Sequence, residues 1–144
     1  MFFEYFGHIH RLLTIVEQKE KEKVLLAAEK VAECMRQNGL VHIFGCGHSH
    51  LLAEEVFYRA GGLVPVKPIL IEPLMLHEGA IRSSQLEKKE GYVQMFLAKE
   101  TFAPNDVAFV VSTSGCNPVP IDVALWAKEK GAYVIGVTSL AYSQ

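Results

Sequence analysis

Apolar residues along this chain gather in four short runs that are separated by segments with helical spacing. The runs cover residues 40–44, 66–71, 107–111 and 133–137. A continuous apolar run of this length is typical of a strand buried on both faces, as in a parallel sheet. Strands alternating with helical segments predict an α/β fold built on a doubly wound parallel sheet, with helices on both faces.

The longest helical segment precedes the first strand. Residues 2–38 favour a helix, because Val24, Ala28, Val31 and Met35 recur on one stripe, and Asn38-Gly39 supplies a left-handed end. Residues 2–16 contain too many apolar and aromatic side chains for an arm that is exposed to water. They must pack on the body or on another subunit, and a homodimer or homotetramer is the preferred interpretation.

Three further helices are predicted. The second helix follows the first strand and runs to Ala60, with Ala53, Phe57 and Ala60 on its buried stripe, before Gly61-Gly62 ends it. A short helix is expected at residues 92–98 and another at 118–130. Residues 72–90 are predicted to be a polar connecting segment.

The order of the strands follows from a proline. Pro68 lies within the second run, and proline is confined to the edges of sheets because it cannot donate a backbone hydrogen bond. The flavodoxin-like order 2-1-3-4-5 places the second strand at an edge and the first and third strands side by side. The loops that follow the first and third strands would then meet at one crevice.

Size and composition predict one domain that binds a small molecule. The 144 residues would form a helical segment (1–38) and an α/β core (39–144). A net charge of -2 and a pI near 6.3 argue against a nucleic-acid partner. No apolar run approaches the roughly 20 residues of a membrane helix, and no signal peptide is recognisable, so no membrane partner and a cytoplasmic location are expected.

Both loops at the predicted crevice carry chemistry suited to an anion. The first loop, residues 45–50, reads Gly45-Cys46-Gly47-His48-Ser49-His50, and the second loop, residues 112–117, reads Ser112-Thr113-Ser114-Gly115-Cys116-Asn117. Glycines let the backbone approach a ligand, and hydroxyls at the start of a helix add hydrogen-bond donors for a phosphate. Asn117 is the expected N-cap of the last helix.

Other interpretations of these loops stay open. Pro118 and Pro120 remove N–H donors from the first helical turn, and each loop could be a plain connecting turn. Cys46 and Cys116 could be nucleophiles, although a small buried side chain is the commoner role of a lone cysteine. The histidines at 42, 48, 50 and 77 do not converge in the predicted elements, so no metal or other cofactor is expected.

The two loops together resemble the SIS (sugar isomerase) domain family. The similarity rests on Gly45-Cys46-Gly47-His48-Ser49, Arg59, Ser112-Thr113-Ser114-Gly115 and residues 127–138, and it spans about residues 39–139. Members of this family bind phosphosugars in a flavodoxin-like sheet, usually as dimers or tetramers. The resemblance implies a phosphosugar site made by Gly47, His48, Ser49, Ser112, Thr113, Ser114 and Asn117.

Within the family, the long N-terminal helix is most similar to phosphoheptose isomerase-like members. The zinc ligands of true phosphoheptose isomerases would fall at Glu55 and Arg59, so the resemblance does not carry a metal over. Family members continue past the fourth strand with a helix, a fifth strand and a C-terminal helix. This chain stops at Gln144, and we expect the C-terminal part of the fold to be missing.

The resulting hypothesis is an isomerase that interconverts aldose and ketose sugar phosphates. Glu78 is the predicted catalytic base and His77 is the second choice, because their segment leaves the second strand at the same edge of the sheet as the phosphate loops. The alternative is that Glu78 is a solvated loop carboxylate. A non-catalytic phosphosugar sensor is the alternative. A phosphosugar lyase is the third candidate, because Glu78-Gly79-Ala80 is similar to a segment of the etherases that supplies a catalytic Glu. The second catalytic carboxylate of the etherases aligns with Arg59, which weakens this interpretation.

Overall fold

A computed structural model describes residues 1–143 of the chain. The helices are α1 (Phe2–Arg36), α2 (Leu51–Val56), α3 (Ala80–Leu86), α4 (Gln94–Leu97) and α5 (Pro118–Glu129). The strands are β1 (Val41–Gly45), β2 (Val66–Ile69), β3 (Val107–Val111) and β4 (Tyr133–Val137). The last two strands have the predicted bounds, and the apolar run of β3 is flanked by the polar residues Asp106 and Ser112.

The four strands form one parallel sheet in the order β2-β1-β3-β4. This confirms the predicted α/β fold and strand order. Pro68 lies in β2 at the edge of the sheet, as its missing N–H requires. β1 and β3 pair from Val41↔Val107 to Gly45↔Val111, so the two loops leave the sheet side by side.

Each face of the sheet has its own apolar core. On one face Phe44, Ile69 and Val110 pack against Val119 and Val123 of α5. On the other face Val41, Val66 and Val107 pack against Cys34, near the end of α1. Burying side chains of this size stabilises each strand by about 1.5–3 kcal/mol per residue, which holds the loop-bearing ends of the strands in place.

A buried carboxylate joins the starts of β1 and β3. Asp106 accepts hydrogen bonds from the backbone N–H groups of Leu40 and Ala103, both at 2.8 Å, and from His42 Nε2 at 3.0 Å. His42 is fully buried and stacks on Phe102, with 4.3 Å between ring centroids. This cluster fixes the two strands relative to each other at the edge opposite the loops.

The second helix is shorter than predicted. α2 ends at Val56, and Phe57 is already extended with φ -84° and ψ 136°. Ala53 is buried as expected, but Phe57 and Ala60 are exposed, so the predicted buried stripe is wrong beyond α2. Val56, Phe57 and Tyr58 have lower helix propensity than straight-chain residues, and Gly61-Gly62 removes any support beyond them.

The polar segment at residues 72–90 contains a helix that its composition did not predict. Single 3₁₀ turns at Glu72–Leu74 and Leu76–Glu78 lead into α3. Ser83 is buried, and its hydroxyl donates to the carbonyl of Leu74 at 2.7 Å. The serine therefore acts as a packing residue that ties α3 to the turn before it.

α1 extends well beyond the body of the protein. It has 35 residues, or about 52 Å at 1.5 Å per residue, and Cys34 is its one buried residue. Its first half carries exposed apolar side chains, namely Phe2, Phe3, Tyr5, Phe6, Leu12, Leu13, Ile15 and Val16. These side chains do not pack on the described body of the chain. Among the described helices, none is both long enough and apolar enough to cross a bilayer.

Candidate functional site

The first loop is shaped by close packing between Gly45 and Ser49. A Cβ at position 45 would lie 2.6 Å from the backbone carbon and oxygen of Ser49, so a larger residue would displace the serine. Ser49 N–H donates to the carbonyl of Cys46 at 2.9 Å. Buried His50 contacts the Gly47 carbonyl through Nδ1 and lies 3.4 Å from Glu54 through Nε2. These contacts hold Ser49 at the top of the sheet.

The second loop is held both from within and by the segment after β4. Ser112 Oγ accepts a hydrogen bond from Gly115 N–H at 3.1 Å, which leaves its own proton free to donate to a ligand. Gly115 has φ +64°, and a Cβ there would lie 2.6 Å from Thr138 Oγ1. The Thr113 carbonyl accepts from Ser139 N–H at 3.2 Å and from Thr138 Oγ1 at 3.3 Å.

The N-terminus of α5 provides fewer donors than an ordinary helix. Pro118 and Pro120 have no N–H, and Val119 N–H donates to the carbonyl of Glu87 at 3.2 Å. Asn117 has the extended backbone of a cap residue, but its side chain makes no capping hydrogen bond and lines the pocket instead. An anion here must be bound mainly by loop hydroxyls and loop N–H groups, with the helix dipole adding a favourable field.

The two loops meet in one pocket of about 600 Å³. All seven residues predicted to bind the phosphosugar line it: Gly47, His48, Ser49, Ser112, Thr113, Ser114 and Asn117. The backbone N–H groups of Thr113, Ser114 and Cys116 make no hydrogen bond within residues 1–143. The pocket thus combines hydroxyls with available backbone donors, which suits an oxyanion.

A third wall of the pocket comes from the segment after β2. Ala80, Ser83, Ser84 and Glu87 line it together with Leu76 and Lys88. Sequence reasoning missed Glu87, because the run Glu87-Lys88-Lys89-Glu90 has the composition of a solvated face. The usable signal was the spacing of Ala80, Ser83, Ser84 and Glu87 at i, i+3, i+4 and i+7, which places them on one side of a helix.

Glu87 is the acidic side chain of the pocket. Burial raises the pKa of its carboxyl, and the neighbouring charge of Lys88 only partly opposes this. Burial also raises the pKa of the Cys46 thiol to about 12, with the charge of Glu87 adding to the shift. Cys46 is therefore a neutral pocket-lining residue at neutral pH and not a thiolate nucleophile, whereas Cys116 is exposed and does not line the pocket.

His77 and Glu78 lie on the rim of the pocket, between the lining residues Leu76 and Ala80. Their side chains are 63% and 46% exposed, and His77 Nε2 lies 3.9 Å from Glu78 Oε1. Neither side chain lines the pocket itself. The proposed catalytic role of Glu78, with His77 second, stays a prediction.

The side chains of the described residues form no site suited to a metal ion. Residues 1–143 hold no cluster of three or more His, Cys, Asp or Glu side chains placed to bind an ion. Glu55 and Arg59, where the zinc ligands of phosphoheptose isomerases would fall, form an ion pair and line a separate apolar groove instead of the pocket between the two loops.

Sequence comparison relates the chain to a family and to longer proteins. Residues 4–139 match the SIS domain family. A UPF0309 protein of Halalkalibacterium halodurans is 62% identical over 144 residues, and one of Geobacillus kaustophilus is 60% identical over 144 residues. Both alignments include the whole chain but only 58% and 57% of the relatives, so the chain spans less than three fifths of their length.

Structural comparison identifies a phosphoheptose isomerase of Neisseria gonorrhoeae as similar in fold. The alignment covers 94% of this chain and 72% of that protein, with a TM-score of 0.71 and 20% sequence identity. At this identity the similarity establishes the fold, which agrees with the sheet order described above.

Proposed function

Because this chain belongs to the SIS domain family, we propose that its pocket binds a sugar phosphate and that the protein interconverts aldose and ketose forms of that sugar. The observation that carries the proposal is the convergence of all seven predicted phosphosugar residues on one pocket. Its volume of about 600 Å³ lies within the range of small-molecule sites.

The phosphate is bound at the second loop. Ser112, Thr113 and Ser114 donate through their hydroxyls, and Ser49 donates from the opposite side of the pocket. The side-chain amide of Asn117 is free of capping and donates as well. Hydroxyl donors bind an anion without a permanent counter-charge, so the site admits the substrate and releases the product.

The sugar extends from the phosphate towards the third wall, where an acid–base group must move a proton between C1 and C2. Glu78 is the group that the sequence favours, and His77 is second. Both lie on the rim, so they reach the sugar only if it extends past Leu76 and Ala80. A non-catalytic phosphosugar sensor is the second candidate function, and the exposure of the His77–Glu78 pair favours it.

We propose further that the protein assembles as a homodimer or homotetramer through α1. The support is the exposed apolar face of its first half, which would cost free energy if it stayed in water. Cys34, Cys46 and Cys116 are all free, which supports a reducing, cytoplasmic setting.

Thermal denaturation with and without ligand tests the binding proposal. A sugar phosphate at 100 times its Kd should add about 2.7 kcal/mol to the free energy of unfolding, whereas the parent sugar should add none. The double variant Ser112→Ala/Ser114→Ala should lose the effect. Ser139→Ala, which removes a hydroxyl outside the pocket lining, is the matched control. Equal stabilisation by unphosphorylated sugars would show that no phosphate site exists.

A further inference from the structure

Glu87 is fixed in the pocket by its main chain. It follows α3, and its N–H donates to the carbonyl of Ser83 at 3.0 Å. Its own carbonyl accepts from Val119 N–H at 3.2 Å, in the first turn of α5. Because backbone groups make both contacts, the carboxylate takes no part in anchoring and is free to act on a ligand.

The side chain of Glu87 has no partner in the described chain. It makes no hydrogen bond or ion pair within residues 1–143, while the other polar groups of the third wall are small hydroxyls or exposed. Lys88, the one cation on this wall, is exposed and lies beside Glu87 in sequence. A partly dehydrated carboxylate with no partner is unfavourable for folding and is typical of groups that act on a substrate.

We propose that Glu87 is the group that transfers the proton between C1 and C2 of the bound sugar phosphate. This assignment rests on the proposed function of the pocket. With the phosphate at the second loop, the reacting end of an open-chain sugar extends across the pocket to the wall on which Glu87 lies. Glu78, by contrast, is 46% exposed and does not line the pocket.

The step balances without any further reactant. The Glu87 carboxylate takes the proton from C2 of the aldose, the electron pair of that C–H bond becomes the C1–C2 double bond, and the carbonyl oxygen at C1 takes up the charge and a proton. The protonated Glu87 then returns its proton to C1, while the hydroxyl at C2 gives its proton to water and becomes the ketone; this proton replaces the one that water supplied to the C1 oxygen. The sugar is oxidised at C2 and reduced at C1, so no external oxidant is involved.

The raised pKa of Glu87 suits this role. A carboxylate whose pKa is raised by burial is a better proton acceptor than an ordinary glutamate. Other pocket side chains do not compete. The high pKa of Cys46 keeps its thiol protonated, and the hydroxyls of Ser83 and Ser84 are far weaker bases.

Deuterium exchange in D₂O tests the assignment on the whole chain. Fructose 6-phosphate and sedoheptulose 7-phosphate, with their aldose counterparts, are incubated with wild type and variants, and deuterium at C1 and C2 is followed by NMR. Glu87→Gln keeps the size and both backbone contacts of the residue, and it should lower the exchange rate about 10²- to 10⁴-fold. Glu90→Gln, an exposed neighbour outside the pocket, is the control and should leave the rate unchanged.

The binding readout separates this inference from the proposed function. Glu87→Gln should retain the rise in Tm that sugar phosphates cause in wild type, because the phosphate donors are untouched. Exchange that survives in Glu87→Gln, or is lost instead in Glu78→Gln or His77→Asn, overturns the assignment. Wild type that is stabilised by these ligands but exchanges none of them also overturns it, and leaves the binding proposal standing. If no sugar phosphate raises the Tm, the proposed function itself fails.

Discussion

Replacing Asp106 by asparagine should weaken the junction of β1 and β3. Asp106 is 4% exposed, and its two oxygens accept three hydrogen bonds. Asparagine keeps one oxygen and presents an NH₂ group in place of the other. One backbone N–H, from either Leu40 or Ala103, then faces a second donor and cannot be satisfied.

The magnitude follows from these contacts. A hydrogen bond to a charged group contributes about 1.5–3 kcal/mol, and a buried donor without a partner costs about 1–3 kcal/mol. His42 can change tautomer and accept from the new amide, which recovers part of the loss. Asp106→Asn should therefore lower the free energy of unfolding by about 3 kcal/mol, which corresponds to a fall in Tm of about 10 °C for a domain of this size.

Urea denaturation and thermal scans at pH 7 measure this difference. Asp122→Asn is the matched control, because Asp122 accepts one hydrogen bond, from Gly91 N–H at 3.1 Å, in an exposed setting. Asp122→Asn should lower the free energy of unfolding by less than about 1 kcal/mol. If Asp106→Asn costs no more than Asp122→Asn, the buried carboxylate does not hold the strands together and the reasoning is refuted.

The same cluster predicts the response of the protein to acid. Burial lowers the pKa of His42, and Asp106 offsets this only in part, so unfolding lets the histidine bind a proton that the native state excludes. For Asp106 burial acts to raise the pKa, but the N–H groups of Leu40, Ala103 and His42 outweigh it and the pKa is lowered. Both effects stabilise the fold above the unfolded pKa values, near 6.5 and 3.8, and are lost as pH falls below them. The free energy of unfolding, measured by urea denaturation, should therefore fall less below pH 4 in Asp106→Asn than in wild type.

Three further predictions concern the site and the assembly. Gly45→Ala should displace Ser49 and abolish stabilisation by sugar phosphates while the far-ultraviolet circular dichroism persists, and retained binding would show that the close packing in the first loop is unimportant. Deleting residues 1–16 should convert the proposed dimer or tetramer to monomer or aggregate in sedimentation experiments, whereas a full-length monomer at micromolar concentration would contradict the proposed role of α1. Iodoacetamide at pH 8 should modify Cys116 much faster than Cys46, whose high pKa and burial protect it, and mass spectrometry of tryptic peptides measures the two rates.

The parts of the structure that were predictable depend on local signals. The apolar run of β3, flanked by polar residues, defined that strand to the residue, and Pro68 identified the edge of the sheet. The strand order then brought the two loops together, because parallel neighbours end at the same edge. The chemistry of both loops could thus be interpreted as one site from the sequence.

The parts that were missed depend on tertiary contacts. α3 is a short helix whose buried Ser83 looks like a surface residue in the sequence, and it is stabilised by a bond to Leu74 that no periodicity reveals. Glu87 enters the pocket because Val119, 32 residues later in the chain, binds its carbonyl. The end of α2 at Val56 was missed for a related reason, since apolar spacing continued to Ala60 without a core to support it.

The hydrogen bond between Val119 N–H and the Glu87 carbonyl fixes the width of the pocket. It joins the wall that carries Glu87 to the helix that directly follows the second loop, so a backbone contact sets the spacing between these two sides of the pocket. Under the function proposed above, a sugar phosphate with one carbon more or fewer between its phosphate and its reacting carbons would place those carbons about one bond away from Glu87. The proposed site would then select its ligand by chain length without contacting each hydroxyl of the sugar.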